Sequence, residues 1–246
     1  MNKSNSLITN ARSVNIIILL VGAILILVGF FLTTDWKIVL ISIGCSLMAT
    51  AIAVFLSSSY LIKLRRIEEL INEWGLVAMF TTRAEMNLDS DEEFSDLSDC
   101  IDIVAFGLES FRNSPKIDVF KEKVAAGLKV RILTLKPSSE LLIIRDKEES
   151  KLEGTTAASI EALKIWVESI RQIAPTANIR IKYYDSLPQG FYWRQDDSLY
   201  IGPYLYNKIS QQTITYKFRS GSKGFDYYKQ YFEALWNDEE YAKEIS

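Results

Sequence analysis

The stretch that decides the architecture is SVNIIILLVGAILILVGFFLTT, residues 13–34, followed at once by IVLISIGCSLMATAIAVFLSSSYLI, residues 38–62. Neither run carries a charge over its 22 or 25 residues. A helix needs roughly 20 apolar residues to cross a hydrocarbon core of about 30 Å. Backbone polar groups in lipid must be satisfied within the segment, and a helix does that. Only Asp35, Trp36 and Lys37 separate the runs, so the two spans are expected to form an antiparallel hairpin. A pair of buried core helices is the competing reading, but soluble helices rarely go so long without a charge. A cleaved signal peptide is not expected, because a second span follows directly. Lys3 and Arg12 precede the first span, and Lys63, Arg65 and Arg66 follow the second. This bias places both termini in the cytoplasm and the hairpin in the inner (cytoplasmic) membrane. The expected organisation is a transmembrane hairpin over 1–62, a connecting helix over 63–75 and a cytoplasmic domain over 76–246.

Composition narrows the chemistry. Setting aside Lys3, Arg12, Lys37 and Asp35 leaves 25 basic against 30 acidic residues after position 62. That balance argues against a surface for duplex nucleic acid, though not against a local basic pocket. Two cysteines, Cys45 and Cys100, lie far apart and fit a reducing compartment. Histidine is absent. Its absence excludes a Ser-His-Asp triad, a Cys-His pair and every phosphodiesterase mechanism that uses histidine. Two separated thiols also make a zinc site improbable, so neither a metal nor another cofactor is expected.

Along the chain, residues 1–12 read as loose and polar. Small residues in the second span (Ser42, Gly44, Ser46, Ala49, Ala51 and Ala53) suit close helix packing, either within the hairpin or between copies in a homo-oligomer. Tyr60, Leu64, Ile67, Ile71 and Trp74 recur as a short heptad-like seam. Beyond Gly75, strands are expected at 76–80, 101–106, 129–135, 179–184, 191–194, 198–201 and 213–218. Helices are expected at 111–126, 140–149, around Ile160–Ile170, and at 225–236. Gly127 reads as a helix C-cap. The acidic run from Asp89 to Asp99 reads as a solvated helix face, with a metal or cationic-partner site as the alternative. Strands alternating with helices imply an α/β fold with a largely parallel sheet. Eleven of the twelve tyrosines lie from Tyr183 onward, mostly as core.

Ligands of open α/β sheets bind beyond the carboxyl ends of the strands. Here those ends are 107–112, 135–139 and 185–188. They offer Glu109, Ser110, Arg112, Lys136, Ser138 and Ser139. Lys136-Pro137-Ser138-Ser139 opens a helix, so free N–H groups, hydroxyls and an ammonium could meet an anion there; a plain helix cap is the alternative. Arg83, Arg194 and Arg219 are further anion candidates, and Tyr192, Trp193 and Tyr204 could stack a base. A small anionic ligand is therefore the expected partner besides the bilayer.

A resemblance adds to this reading. The chain runs strand, helix, then Gly-Leu-Lys-Val-Arg-Ile-Leu at 127–133. Later come Gln195-Asp196-Asp197-Ser198-Leu199-Tyr200-Ile201-Gly202-Pro203-Tyr204 and a closing Tyr231-Phe232-Glu233-Ala234-Leu235-Trp236. This order resembles one phospholipase-D-like domain over roughly residues 76–240. Asp196 or Asp197, Leu199–Ile201 and Gly202 match the later part of that family's motif, while its His-x-Lys element is missing. The resemblance implies the α/β fold without the histidine nucleophile. The whole arrangement is similar to two-span membrane effectors of prokaryotic antiphage defence, which implies a soluble sensor for a nucleotide or related anion that controls membrane-helix assembly. The alternatives are a membrane-anchored phosphodiesterase-like hydrolase with a non-histidine mechanism, and a structural protein that docks a partner.

Overall fold

The computed structural model describes residues 3–33, 36–187 and 190–245. The side chains of residues 3–12, 59, 61–63, 65 and 66 lie outside the described set. So do Thr34, Asp35 and Pro188; the flanking charges Lys3, Arg12, Lys63, Arg65 and Arg66 are thus known from sequence alone. The chain divides into two compact units, Met1–Glu69 and Leu70–Ser246.

The first unit is two helices, α1 (Lys3–Phe31) and α2 (Trp36–Glu68). Residues 3–12 are helical rather than loose: the segment has no glycine or proline, and extending an existing helix is cheap. The helices run antiparallel. Asn15 Nδ2 donates to the Ala51 carbonyl at 2.9 Å, and a Cβ on Gly44 would come within 2.7 Å of the Gly22 carbonyl oxygen. Small residues are therefore used inside the hairpin. Most other side chains of these helices are exposed, Ile16, Leu20, Phe30, Val54 and Leu56 among them. A soluble core helix would have them covered. Stretches of 19 and 23 residues, Ser13–Phe31 and Trp36–Ser58, are long and apolar enough to cross a membrane. Tyr60, Leu64, Ile67, Ile71 and Trp74 of the seam are exposed, and α2 passes into a π-helical turn at Glu69–Glu73.

The second unit is an α/β domain on one eight-stranded sheet, ordered β1-β7-β6-β5-β2-β3-β4-β8. Its strands are β1 (Leu76–Phe80), β2 (Cys100–Val104), β3 (Lys129–Leu135), β4 (Ile179–Tyr184), β5 (Phe191–Gln195), β6 (Ser198–Gly202), β7 (Thr215–Arg219) and β8 (Ala242–Glu244). The helices are α3 (Arg83–Glu93), α4 (Glu109–Arg112), α5 (Ile117–Ala125), α6 (Glu140–Glu148), α7 (Thr155–Ile173) and α8 (Lys223–Asn237).

The expectation of a largely parallel sheet is corrected. Only β2–β3 and β3–β4 are parallel; the other five pairings are antiparallel. A parallel return needs a crossover of a dozen or so residues. The β5–β6 link is the two-residue turn Asp196-Asp197, which can only make a hairpin. The single helix expected over 111–126 is broken into α4 and α5. Pro115 lacks an N–H, and the residue before it is steered out of the helical region. Gly127, at φ 112°, ends α5.

Alternation along the strands gives each face its own core. Ile101, Ile103, Ile132, Trp193 and Tyr200 face α3, α5 and α7 residues such as Met86, Phe120 and Val167. Their neighbours Val104, Leu133, Tyr192 and Leu199 face Phe225, Phe232 and Trp236 of α8.

Polar tethers fix the frame. Asp196, at φ 42° in the hairpin turn, accepts from the amides of Ser98, Asp99 and Cys100 at 2.8, 3.0 and 2.8 Å. The turn is thereby tied to the start of β2. These donors, with the Ser98 hydroxyl, outweigh partial burial and hold its carboxyl below the ordinary carboxylate range. Asp196→Ala is expected to cost about 2 kcal/mol, since hydrogen bonds to a charged group are lost together. Asp196→Asn, which keeps one acceptor and tolerates positive φ, should cost less; thermal denaturation of both variants checks this ordering.

Candidate functional site

A cavity of about 590 Å³ opens on the α3 side of the sheet, beyond the carboxyl end of β2. Five pieces of chain make it: α3, the loop 105–115, the α6–α7 joint, β5 through Phe191 and Trp193, and the segment from Tyr204 to Gln211. Each is locally fixed. Thr82 caps α3 by accepting from the Glu85 amide at 3.2 Å, which sets Arg83 at the first turn. Gly107 lets the loop lie on α7, where a Cβ would come within 2.6 Å of the Ser159 carbonyl carbon. Asp146, fully buried, accepts from Gly154 N at 2.9 Å, Thr156 N at 3.0 Å and the Thr156 hydroxyl at 2.5 Å, closing the α6–α7 turn.

Arg83 is the group that stands out. It is 5% exposed, lines the cavity and has no carboxylate within ion-pair distance among the described residues. Nη2 donates to the Thr213 hydroxyl at 3.3 Å, and the guanidinium lies 4.0 Å from the centre of the Phe191 ring. Nε is buried with no partner. Burial pulls the guanidinium below its ordinary pKa, with Tyr204 opposing and the nearby Arg145 reinforcing the shift. An arginine nonetheless stays charged at neutral pH.

A second arginine shows what pairing looks like here. Arg145 donates to Glu148 at 3.1 Å, to Glu149, and to the Leu205 and Lys208 carbonyls at 3.2 and 3.1 Å. Glu149 also accepts from the Ser210 amide and hydroxyl at 3.1 and 2.6 Å and pairs with Lys151. Burial opposes its ionisation, but Lys151, Ser210 and Arg145 together hold its carboxyl below the ordinary range. Tyr204 sits between the two guanidiniums, 5.6 Å from Arg83 and 5.0 Å from Arg145, and stacks on Phe106 at 4.7 Å. Hydroxyls and amides from Asn87, Ser110, Ser114, Thr155, Ser159 and Gln211 line the rest, and Ser114 Oγ is buried without a partner.

Of the residues singled out from sequence, the fold brings Arg83, Glu109, Ser110, Trp193 and Tyr204 to this cavity, while Tyr192 lies on the opposite face. Arg112 is turned back on its own loop, with Nε donating to the Gly107 carbonyl at 2.8 Å. Lys136 and Ser138 are exposed at the end of β3, and Ser139 occupies the α6 N-cap position with no side-chain cap bond; none lines the cavity. Arg194 lies on the opposite face and donates to the buried Asp102 at 2.8 Å. Arg219 reaches the Ile71 carbonyl and Asn72 instead. Sequence reasoning missed Arg145, Glu149, Lys151, Ser210 and Gln211. Arg145 and Glu149 are spaced i,i+4, a signal that also describes any solvated helix.

Two other clusters have structural roles. The acidic run is not simply a solvated face. Asp89 and Glu93 meet the chain's own Lys217 at 2.7 and 2.6 Å, and Tyr200 donates to both. Asp99, Cys100 and Asp196 offer three potential metal-ligand atoms within 4.8 Å. The Asp196 oxygens are taken up by the amides of Ser98, Asp99 and Cys100, and burial pushes the Cys100 thiol up to about 11.

No known protein family matches the chain, and no curated protein matches it. Among solved structures it is similar to TrmBL2, an archaeal chromatin protein with a novel mode of DNA binding, at 14% identity and a TM-score of 0.43, over 82% of this chain and 70% of that one. It is also similar to phosphatidylserine synthase of Haemophilus influenzae Rd KW20, at 11% identity and a TM-score of 0.48, over 82% of this chain and 47% of that one. The chain thus spans about half the length of the synthase, and at these values neither likeness decides family or activity.

The Glu149 cluster has a pH signature. A carboxyl held below its unfolded value, about 4.3 for glutamate, stabilises the fold above that pH and loses the contribution as pH falls through the folded value. The thermal midpoint is expected to fall on acidification below about pH 4.5. Glu149→Gln should make that acid limb shallower, and melting curves between neutral and acid pH check it.

Proposed function

We propose that the chain is a membrane-anchored sensor or effector whose α/β domain binds a small anionic ligand in the Arg83 cavity. One observation carries this reading: a buried cation lines a ligand-sized space and has no carboxylate within ion-pair distance among the described residues. An unpaired buried charge costs several kcal/mol, roughly, and a ligand carboxylate or phosphate in contact with Nε offsets that cost. The volume lies in the range of small-molecule sites, about 300–1,000 Å³. The aromatic wall of Phe106, Tyr204 and Trp193 with a hydroxyl-rich rim favours a nucleotide as the first ligand to test. The sequence supports binding over turnover, since it has no histidine for the phospholipase-D-type step.

The phospholipase-D-like resemblance and the two-span layout extend the proposal. The hairpin anchors the chain in the inner membrane with both termini cytoplasmic, as the flanking lysines and arginines support. Ligand binding alters the packing of hairpins in a homo-oligomer, as in antiphage membrane effectors. The domain boundaries of this reading are 1–62, 63–75 and 76–246.

Two measurements test it. In calorimetric titrations of the full chain in maltoside micelles against a panel of nucleotides and inorganic phosphate, at least one anion should bind. Arg83→Ala should weaken it by roughly tenfold or more, and Arg83→Lys by less. Binding indifferent to Arg83→Ala, or no anion bound at all, defeats the reading. For orientation, a carboxy-terminal fluorescent-protein fusion should glow in a bacterial host and an alkaline phosphatase fusion at the same point should be inactive; the reverse pattern overturns the cytoplasmic placement.

A further inference from the structure

The opposite face of the sheet holds a second cavity, of about 350 Å³, built differently from the first. Five of its nine lining residues are tyrosines: Tyr192 from β5, Tyr216 from β7, and Tyr227, Tyr228 and Tyr231 from α8. The last three fall at i, i+1 and i+4, so one side of α8 supplies three rings. The remaining four, Gly190, Ile201, Gly202 and Pro203, are uncharged. Some of the rings are locked: Tyr192 stacks on Phe232 at 5.2 Å, and Tyr228 meets Tyr227 edge-on at 5.3 Å. Tyr192 is 1% exposed and its hydroxyl is buried without a hydrogen-bond partner.

The lining selects among ligand classes. An anion meets no cationic side chain there among the described residues. A metal ion or a primary ammonium would need carboxylates, and none lines the cavity among the described residues. A purely apolar guest leaves the Tyr192 hydroxyl unsatisfied. A diffuse organic cation suits the electron-rich ring faces and needs no hydrogen-bond acceptor. An oxygen on that cation would accept from Tyr192, which burial keeps protonated at neutral pH.

We propose that this tyrosine-lined cavity is a second binding site, separate from the Arg83 cavity, for a small quaternary ammonium compound bearing an oxygen. The test uses choline and its uncharged isostere 3,3-dimethylbutan-1-ol, titrated into the full chain in maltoside micelles. Choline should bind, and the isostere should bind roughly tenfold or more weakly, because only the charge differs. Tyr227→Leu, at the exposed rim where folding is safe, should weaken choline severalfold. Tyr192→Phe should weaken choline and leave tetramethylammonium, which has no oxygen, unchanged. Choline affinity should persist in Arg83→Ala, so failure of one site is distinguishable from failure of the other. Equal binding of the isostere, no binding of choline, or indifference to Tyr227→Leu overturns the proposal.

Discussion

Period-two alternation along β5 decides which of its side chains reach each of the two cavities. Trp193 points to the α3 side and lines the Arg83 cavity. Its neighbours Tyr192 and Arg194 point the other way, one into the tyrosine-lined cavity and one onto Asp102. A strand cannot place adjacent residues on one face, and a slip of one residue would exchange the whole set. The register is therefore pinned hard. Asp196 in the following turn holds three consecutive amides, Ser98 to Cys100, leading into β2, and both flanking strands pair with β5 through most of its length.

Buried charges divide the domain into structure and site. Asp102 is fully buried, yet Arg131 contacts it twice, at 2.6 and 2.9 Å, and Arg194 once. Arg131 in turn reaches Glu233 on α8, and its guanidinium lies 4.8 Å from the Phe232 ring centre. These charges satisfy one another and clamp α8 to the sheet. Lys217, Asp89, Glu93 and Tyr200 do the same for α3 on the other face. Arg145 is likewise paired with Glu148 and Glu149 and donates to two carbonyls through its Nη atoms, with its Nε buried and unpartnered. Against that background Arg83 stands apart among the described residues, with aromatic rings and hydroxyls where the others have a carboxylate at ion-pair distance. Removing one partner from a buried pair is costly, and it is the absence of such a partner at Arg83 that the proposed anion would make good.

How much of this the sequence disclosed follows from the range of each signal. The two helices of the first unit were legible because hydropathy is summed over some twenty residues. Strands β1, β3 and β4 were legible to the residue, as apolar runs bounded by Gly75, Gly127, Pro137 and Pro175. The sheet's direction was not, because pairing depends on connections: the Asp196-Asp197 turn was visible as residues but read as part of a motif. The three-residue β8 carries too few positions for any pattern. For the site, Arg83 and Tyr204 could be named singly, as a guanidinium and a ring with polar neighbours. Their meeting spans 121 residues of chain, and Arg145 reaches Tyr204 from a helix whose own charge spacing looked like solvent exposure. Arg194 was misplaced because one residue of strand parity decides which face it serves.

The sheet order also sets a timetable for biosynthesis. β1 has β7 as its partner, with Leu76 opposite Phe218, and β2 lies beside β5, with Ile101 opposite Gln195. β1 thus waits for nearly the last strand to emerge from the ribosome, and β2, which has β3 early, waits for β5 on its other edge, whereas α1 and α2 are adjacent in sequence, pack on each other and can pair as soon as both are made. A nascent chain of this protein delivers its greasy pair before the sheet can close, so translation would proceed with an unfinished α/β domain held open and in need of shelter until its final quarter arrives.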